Sequence, residues 1–291
     1  MATLVIPTGR VGYAGVLHHV LTTGVKRKSR GMSTLDAGHT TIEIQSPYNA
    51  LPVGVGRNLS RRVAAAEAVQ LIGAFTDPQL LVTASPNFKR YQEDDGTFWG
   101  AYGERIGAQL QDVQRKLIKD IGTRQAVISL WDPALDNLPL KRDYPCTLSL
   151  VFSANPRMGA LELDVTMRSN DAWRGFPYDI FQFTQLQLTL ARAVGMEPGA
   201  YRHHAHSLHL YLEDVPDAHN VAYRTEPPKF VEELPTGFNC SVGDVALAMT
   251  TAHHIAYDVA PFLTPMELND SESWYWHTLR GHAPELTRAT L

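Results

Sequence analysis

Residues 161–194 join, without a linker, a stretch alternating every second residue to one whose apolar positions recur every three to four. The chain must therefore lay a strand directly against the start of a long helix. In LELDVTMRS (161–169), Leu161, Leu163, Val165 and Met167 share one face and Arg168 points the other way. After a turn at Gly175, Pro177 suits the first turn of a helix in which Ile180, Phe183, Leu186, Leu190 and Val194 recur on one side. Gly195 and Pro198 end it. Two more alternating stretches, CTLSLVF (146–152) and SLHLYLE (207–213), read as strands, and the second carries His209 and Tyr211 on its polar face. Residues 11–24 and 59–75 read as helices, and the basic run Lys26, Arg27, Lys28 and Arg30 between them reads as a solvated loop. Long helices mixed with separated strands indicate an α+β, layered α/β fold. No Pro/Gly/Ser-rich linker or charge block divides residues 1–291, which are read as one domain.

Composition narrows the function classes. A net charge of −4 with a pI near 6.3 argues against a protein that coats nucleic acid, while leaving room for a local basic pocket that holds a phosphate. The two cysteines, Cys146 and Cys240, are too few for a disulfide framework and suit a reducing compartment, so a cytoplasmic location is expected. No apolar run approaches the roughly 20 residues of a membrane helix, and no membrane partner is expected.

Several residue groups carry chemistry. Cys146, following Pro145 at the start of a strand, is either an inert thiol or a nucleophile. The segment MRSNDAWRGFPYD (167–179) concentrates two arginines, two acids and polar groups around a glycine turn, a density that a core does not need. Glu67, the lone acid of its helical stretch, either faces solvent or is a buried catalytic group. His203, His204, His206 and His209 raise the alternative of a zinc site, but no Cys or Glu at ligand spacing accompanies them and no metal is expected.

The motifs PC at 145–146, RSND at 168–171, GFPYDI at 175–180 and HLY at 209–211 resemble, in order and spacing, the catalytic half of thymidylate synthases. GAYGERI (100–106) and TRQAVISLW (123–131) extend the likeness, which covers roughly residues 11–215. The resemblance implies that fold, a large sheet forming a homodimer interface, and a pyrimidine nucleoside monophosphate and 5,10-methylenetetrahydrofolate as substrates. Cys146 would add to C6 of the base, with Arg168 helping to bind phosphate and favouring the thiolate, and Glu67 would assist proton transfers. Arg30, with Lys28 as a substitute, resembles the mobile-loop arginine on the same phosphate. Arg124 resembles one of the arginine pair lent to a partner's site, although Gln125 replaces the other. Ser169, His209 and Tyr211 resemble phosphate, base and sugar contacts. Tyr102, Asp171 and Gly175 resemble residues bordering the base and folate sites.

The departures from the pattern carry further expectations. Asp179 occupies the place of an asparagine that reads uracil, and an ionised carboxylate, which only accepts hydrogen bonds, suits the amine of cytosine. It also stands in the first turn of a helix, where a carboxylate complements the dipole whatever its chemistry. Phe88 and Tyr91 stand where the family has folate-facing tryptophans, Thr147 stands where synthases usually have histidine, and the C-terminal HAPELTRATL does not resemble the synthases' sealing tail. These departures imply a wetter site and a 5-hydroxymethyl product from dCMP or CMP. A cytidylate 5-methyltransferase and a dUMP-using thymidylate synthase are the alternatives.

Overall fold

A computed structural model describes residues 2–29, 31–77, 79–138, 141–227, 233–257 and 270–280. In chain order the elements are β1 (Ala2–Ile6), α1 (Gly9–Thr23), β2 (Val25–Ser29), β3 (Met32–Asp36), β4 (Thr40–Ile44), α2 (Arg61–Ile72), α3 (Gln79–Ala84), a 3₁₀ turn (Pro86–Tyr91), α4 (Tyr102–Ile106) and α5 (Gln109–Lys119). They continue with β5 (Val127–Ser129), α6 (Pro133–Asp136), β6 (Thr147–Asn155), β7 (Ala160–Met167), β8 (Asn170–Asp171), α7 (Phe176–Ala193), β9 (Glu197–Ala205), β10 (Leu208–Tyr211), a short 3₁₀ turn (Leu212–Asp214), α8 (Val215–Ala222), α9 (Val245–Tyr257) and α10 (Asp270–Arg280).

A six-stranded sheet runs β1-β4-β9-β7-β6-β5, and a four-stranded sheet runs β2-β3-β10-β8. Strands β7 and β9 pair in parallel. That pairing requires a crossover, and α7 supplies it. The expected strand-to-helix junction is thus the feature that organises the large sheet. Leu161, Leu163, Val165 and Met167 are buried as the alternation required, beneath the apolar side of α7, where Ile180, Phe183, Leu186 and Leu190 are fully buried. The other face of the sheet is polar: Arg202 of β9 pairs with Glu43 at 3.0 Å, Glu162 at 2.8 Å and Asp164 at 3.3 Å.

Three members of the basic run are not in a loop. Lys26, Arg27 and Lys28 lie in β2, a fully exposed edge strand paired antiparallel with β3. Edge strands tolerate dense charge because it blocks further pairing, and Arg27 is held by Asp36 across the hairpin at 2.7 Å. A strand with no buried face lacks the alternation that sequence reading depends on. Arg30 and the segment HAPELTRATL lie outside the described residues.

Between the two sheets the chain crosses at Arg168 and Ser169. It leaves β7 and enters β8, whose Asp171 pairs in register with His209 of β10. The large sheet, the small sheet and the N-terminus of α7 consequently meet within a dozen residues of sequence.

Candidate active site

At this junction stands the thiol of Cys146, half-buried just before β6. Arg168 donates from its Nε to the Pro145 carbonyl at 3.0 Å and from Nη2 to the Tyr144 carbonyl at 3.1 Å. The same Nη2 lies 3.8 Å from Cys146 Sγ. One guanidinium therefore fixes the turn preceding the thiol and sets a permanent positive charge beside it. The backbone locks the pair further, since Arg168 N–H donates to the Cys146 carbonyl at 2.9 Å.

Thr147, fully buried, hydrogen-bonds the Tyr102 hydroxyl at 2.9 Å. Tyr102, in the first turn of α4, stacks on Phe183 of α7 with centroids 5.8 Å apart. Its hydroxyl is pushed well above its ordinary range by burial, and the charges of Asp179 and Cys146 bear on it in the same direction. Tyr102 thus links the thiol side of the site to the helix that carries Asp179.

Asp179 lies in the first turn of α7, buried. Its Oδ2 accepts from Asn170 Nδ2 at 2.7 Å and its Oδ1 from Gln182 Nε2 at 3.1 Å. Burial raises its pKa to about 7, against the lowering effect of those two amides. Gly175 permits the close approach: a Cβ there would stand 3.3 Å from both Asn170 Nδ2 and Asp179 Oδ2. Glu67, on α2, is raised well above the ordinary carboxylate range, by burial first and then by the charge of Asp179. One of its carboxylate oxygens is sealed from solvent with no hydrogen-bond partner among the described residues.

Asp171 caps the turn before α7, its Oδ1 accepting from the amides of Trp173 at 2.8 Å and Arg174 at 3.1 Å. Its Oδ2 is buried without a partner among the described residues, and burial raises its pKa despite the backbone amides and nearby His209. His209 and Tyr211 contact each other edge to face at 5.5 Å, and the Arg174 guanidinium covers Tyr211 at 4.8 Å. Ser169 is half-buried at the crossing between the sheets.

Phe88 and Tyr91 share the 3₁₀ turn, centroids 6.5 Å apart, and pack against a small cluster formed by Ala66, Leu81 and Phe98. Ala66 immediately precedes Glu67, so this aromatic pair borders the same turn of α2. Arg124 stands apart. It is exposed between α5 and β5 and makes no hydrogen bond or ion pair among the described residues.

The histidine group is dispersed by strand alternation. His203 points into the core, bonded to Tyr201 and Asn170. His204 points to the opposite face, where it meets Asp164 at 2.9 Å and Thr41 at 3.0 Å, and His206 stacks on His39. Among the described residues no group of three or more His, Cys, Asp or Glu side chains is arranged to hold a metal.

Sequence reading gave no role to Gln182 and Tyr201, quoted Asn170 only within a motif and raised His203 only as a metal ligand; together they form the polar lining behind Asp179. The available signal was the alternation of 197–205, which puts Tyr201 and His203 on the same face as Gly199 and Ala205. It also missed Arg57, which donates to the Tyr13 hydroxyl at 2.8 Å and to the Trp173 carbonyl, and lies 4.1 Å over the Trp173 ring.

The family model described as "Thymidylate synthase" matches residues 11–248, past the point near residue 215 where the motifs give out. The chain is 30% identical over 248 residues to a deoxyuridylate hydroxymethyltransferase of Bacillus phage SP01, covering 76% of this chain and 64% of that protein. It is 28% identical over 191 residues to a protein of the same description from Pseudomonas phage M6, covering 64% and 54%. The chain thus spans less than two thirds of the length of these curated relatives. A thymidylate synthase of Encephalitozoon cuniculi is 24% identical, with 76% and 84% covered. Among solved structures, thermostable thymidylate synthase A from Bacillus subtilis superposes with a TM-score of 0.68 at 20% identity, covering 81% of this chain and 90% of that one.

Proposed function

The chain belongs to the thymidylate synthase family, and on that premise we propose that it transfers a one-carbon unit from 5,10-methylenetetrahydrofolate to C5 of a pyrimidine nucleoside monophosphate, with cytidylate as the base and 5-hydroxymethylcytidylate as the product. The observation carrying the choice of base is the setting of Asp179. Each of its oxygens accepts from an amide N–H, Asn170 on one and Gln182 on the other. Those partners suit a carboxylate, which once ionised, above about pH 7, presents only acceptors to a base. The exocyclic amine of cytosine complements it, whereas O4 of uracil opposes it.

In the proposed reaction the Cys146 thiolate, beside Arg168, forms a bond to C6 and makes C5 nucleophilic. Asp179 accepts from the cytosine amine and, when N3 is protonated, from N3 as well. Glu67, with a raised pKa and a buried oxygen that has no partner among the described residues, holds and returns the protons that C5 and the ring exchange. Bound folate supplies a one-carbon unit at the oxidation level of formaldehyde. The Phe88–Tyr91 pair and Asp171 Oδ2, which has no partner among the described residues, fit its ring system and polar edge. Phe88, Tyr91 and Thr147 in place of bulkier neighbours admit the water that ends the sequence as a hydroxymethyl group, and expulsion of Cys146 releases the nucleotide. Arg168, Ser169, Arg30, and Arg124 from a second copy would hold the phosphate, with His209 and Tyr211 on the sugar, in a homodimer joined through the large sheet. No helix of the described residues is long and apolar enough to cross a membrane, and the reading places the protein in the cytoplasm of a bacterium or a phage-infected host.

A second reading, a deoxyuridylate hydroxymethyltransferase, is favoured by the description of the two phage relatives. It requires a protonated Asp179, whose O–H would serve O4. Incubation with methylenetetrahydrofolate and dCMP, CMP or dUMP separately, followed by mass analysis, tests both. A product 30 mass units above dCMP or CMP supports the first reading, and the same increment on dUMP alone supports the second.

A further inference from the structure

Behind Asp179 a line of buried polar groups runs from the large sheet to the first turn of α7. The Tyr201 hydroxyl lies 2.8 Å from His203 Nδ1. His203 Nε2 lies 3.1 Å from Asn170 Oδ1, and Asn170 Nδ2 donates to Asp179 Oδ2 at 2.7 Å. Tyr201 and His203 are fully buried, and Asn170 and Asp179 are buried too. The edge of His203 meets the Phe176 ring at 5.2 Å, and Gly175 closes over the Asn170–Asp179 link.

Burial drives His203 down to about 3, so its ring is neutral near pH 7. A neutral imidazole donates from one nitrogen and accepts at the other. The chain consequently has two self-consistent directions. In one, Tyr201 donates to Nδ1, Nε2–H donates to Asn170 Oδ1, and Asn170 Nδ2 donates to an ionised Asp179. In the other, the Asn170 amide turns over and every bond reverses: a protonated Asp179 donates to Asn170 Oδ1, Asn170 Nδ2 donates to Nε2, and Nδ1–H donates to the Tyr201 oxygen. Tyr201 decides between them. His203 is its hydrogen-bond partner among the described residues, and burial keeps its hydroxyl protonated. In the reversed direction that proton would be buried with no acceptor, a cost the first direction avoids.

We propose that Tyr201, acting through His203 and Asn170, fixes the direction of this buried chain so that Asp179 faces the base as an acceptor, which makes Tyr201, His203 and Asn170 positioning residues that determine base specificity. The inference rests on the reading of Asp179 as the base-facing group. The titratable groups that face Asp179 from the elements around it are Glu67 on α2, Tyr102 on α4, Asp171 on β8 and Tyr201 on β9. Of these, Tyr201 alone reaches Asp179 through a continuous run of hydrogen bonds.

The test measures the chain itself before it measures catalysis. In the intact ¹⁵N- and ¹³C-labelled protein, His203 should carry its proton on Nε2 at every pH where Asp179 is ionised. An Nδ1–H tautomer there would overturn the proposal without any variant being needed. Tyr201→Phe removes one oxygen at nearly constant volume, and should raise the titration midpoint of the carboxyl resonance that Asp179→Asn deletes by about one pH unit. The preference for cytidylate over uridylate should fall about tenfold in step with it. His203→Gln, whose amide can still donate towards Asn170, should move the midpoint less than His203→Phe. Equal midpoints in the native protein and a folded Tyr201→Phe would refute the relay. A shifted midpoint in a native protein that prefers uridylate would instead leave the relay standing and remove the reading of base choice.

Discussion

Arg168 Nη2 stands 3.8 Å from Cys146 Sγ while the same side chain clamps the carbonyls of Tyr144 and Pro145. Position and electrostatics of the thiol therefore depend on one residue at the end of β7. Cys146→Ala should abolish turnover yet leave nucleotide affinity within about tenfold, because phosphate and sugar contacts do not involve sulfur. Calorimetry of nucleotide binding beside a product assay separates the two. Measurable product from the alanine variant would remove Cys146 from the reaction.

The fold was readable where burial imposes a period. Strand β7 and helix α7 appear at their expected places because Leu161 to Met167 and Ile180 to Leu190 face one core. Strand β2 was not readable, since all five of its residues are exposed and its pairing with β3 leaves no apolar imprint. At the site, Cys146, Arg168, Asp171, Asp179 and Tyr102 were legible as motifs, and the structure brings them to one junction. Tyr201 and His203 were not, because a stretch reading Tyr-Arg-His-His-Ala-His resembles a polar surface until alternate residues are seen to be buried.

The proposed lending of Arg124, exposed between α5 and β5 and unpaired among the described residues, to the site of a second copy makes its own prediction. Mixing inactive Arg124→Ala with inactive Cys146→Ala should restore part of the activity, since a mixed dimer contains one site with both residues intact. A fully active monomer in sedimentation would contradict this.

The source of the product oxygen distinguishes hydroxymethylation from methylation. With water labelled by heavy oxygen, the label should enter the new hydroxyl group. A methylated product formed together with dihydrofolate would favour the methyltransferase instead.

Stability should report the titration of Asp179. Burial raises its pKa from 3.8 to about 7, so between those values the folded protein binds more protons than the unfolded chain, and the group's contribution falls as pH rises. Asp179→Asn lacks this loss, worth about 1.4 kcal/mol for each pH unit of the window. Its melting temperature relative to the native protein should climb from about pH 4 to about pH 7 and level off above. Glu67 titrates in the same direction; burial, the larger cause of its shift, is common to both proteins and cancels, while the part due to the charge of Asp179 is lost in the variant and adds to the climb. A constant offset across that range would mean that Asp179 is not perturbed.

Base choice is the central claim, and it rests on one carboxylate. Mispairing a buried polar group with the wrong base can cost several orders of magnitude in specificity, whereas a single additional neutral hydrogen bond contributes only about 0.5–1.5 kcal/mol. The penalty against uracil should therefore dominate. Asp179→Asn exchanges one acceptor for an amide donor that can serve O4, while its remaining oxygen accepts from N3–H. The most direct measurement is tritium release from 5-labelled dCMP and dUMP by the native protein and by Asp179→Asn, side by side. The account predicts that the native protein labilises the 5-position of dCMP and the variant loses most of that activity while gaining release from dUMP. A native protein that prefers dUMP, or a variant that keeps the native preference, would contradict it.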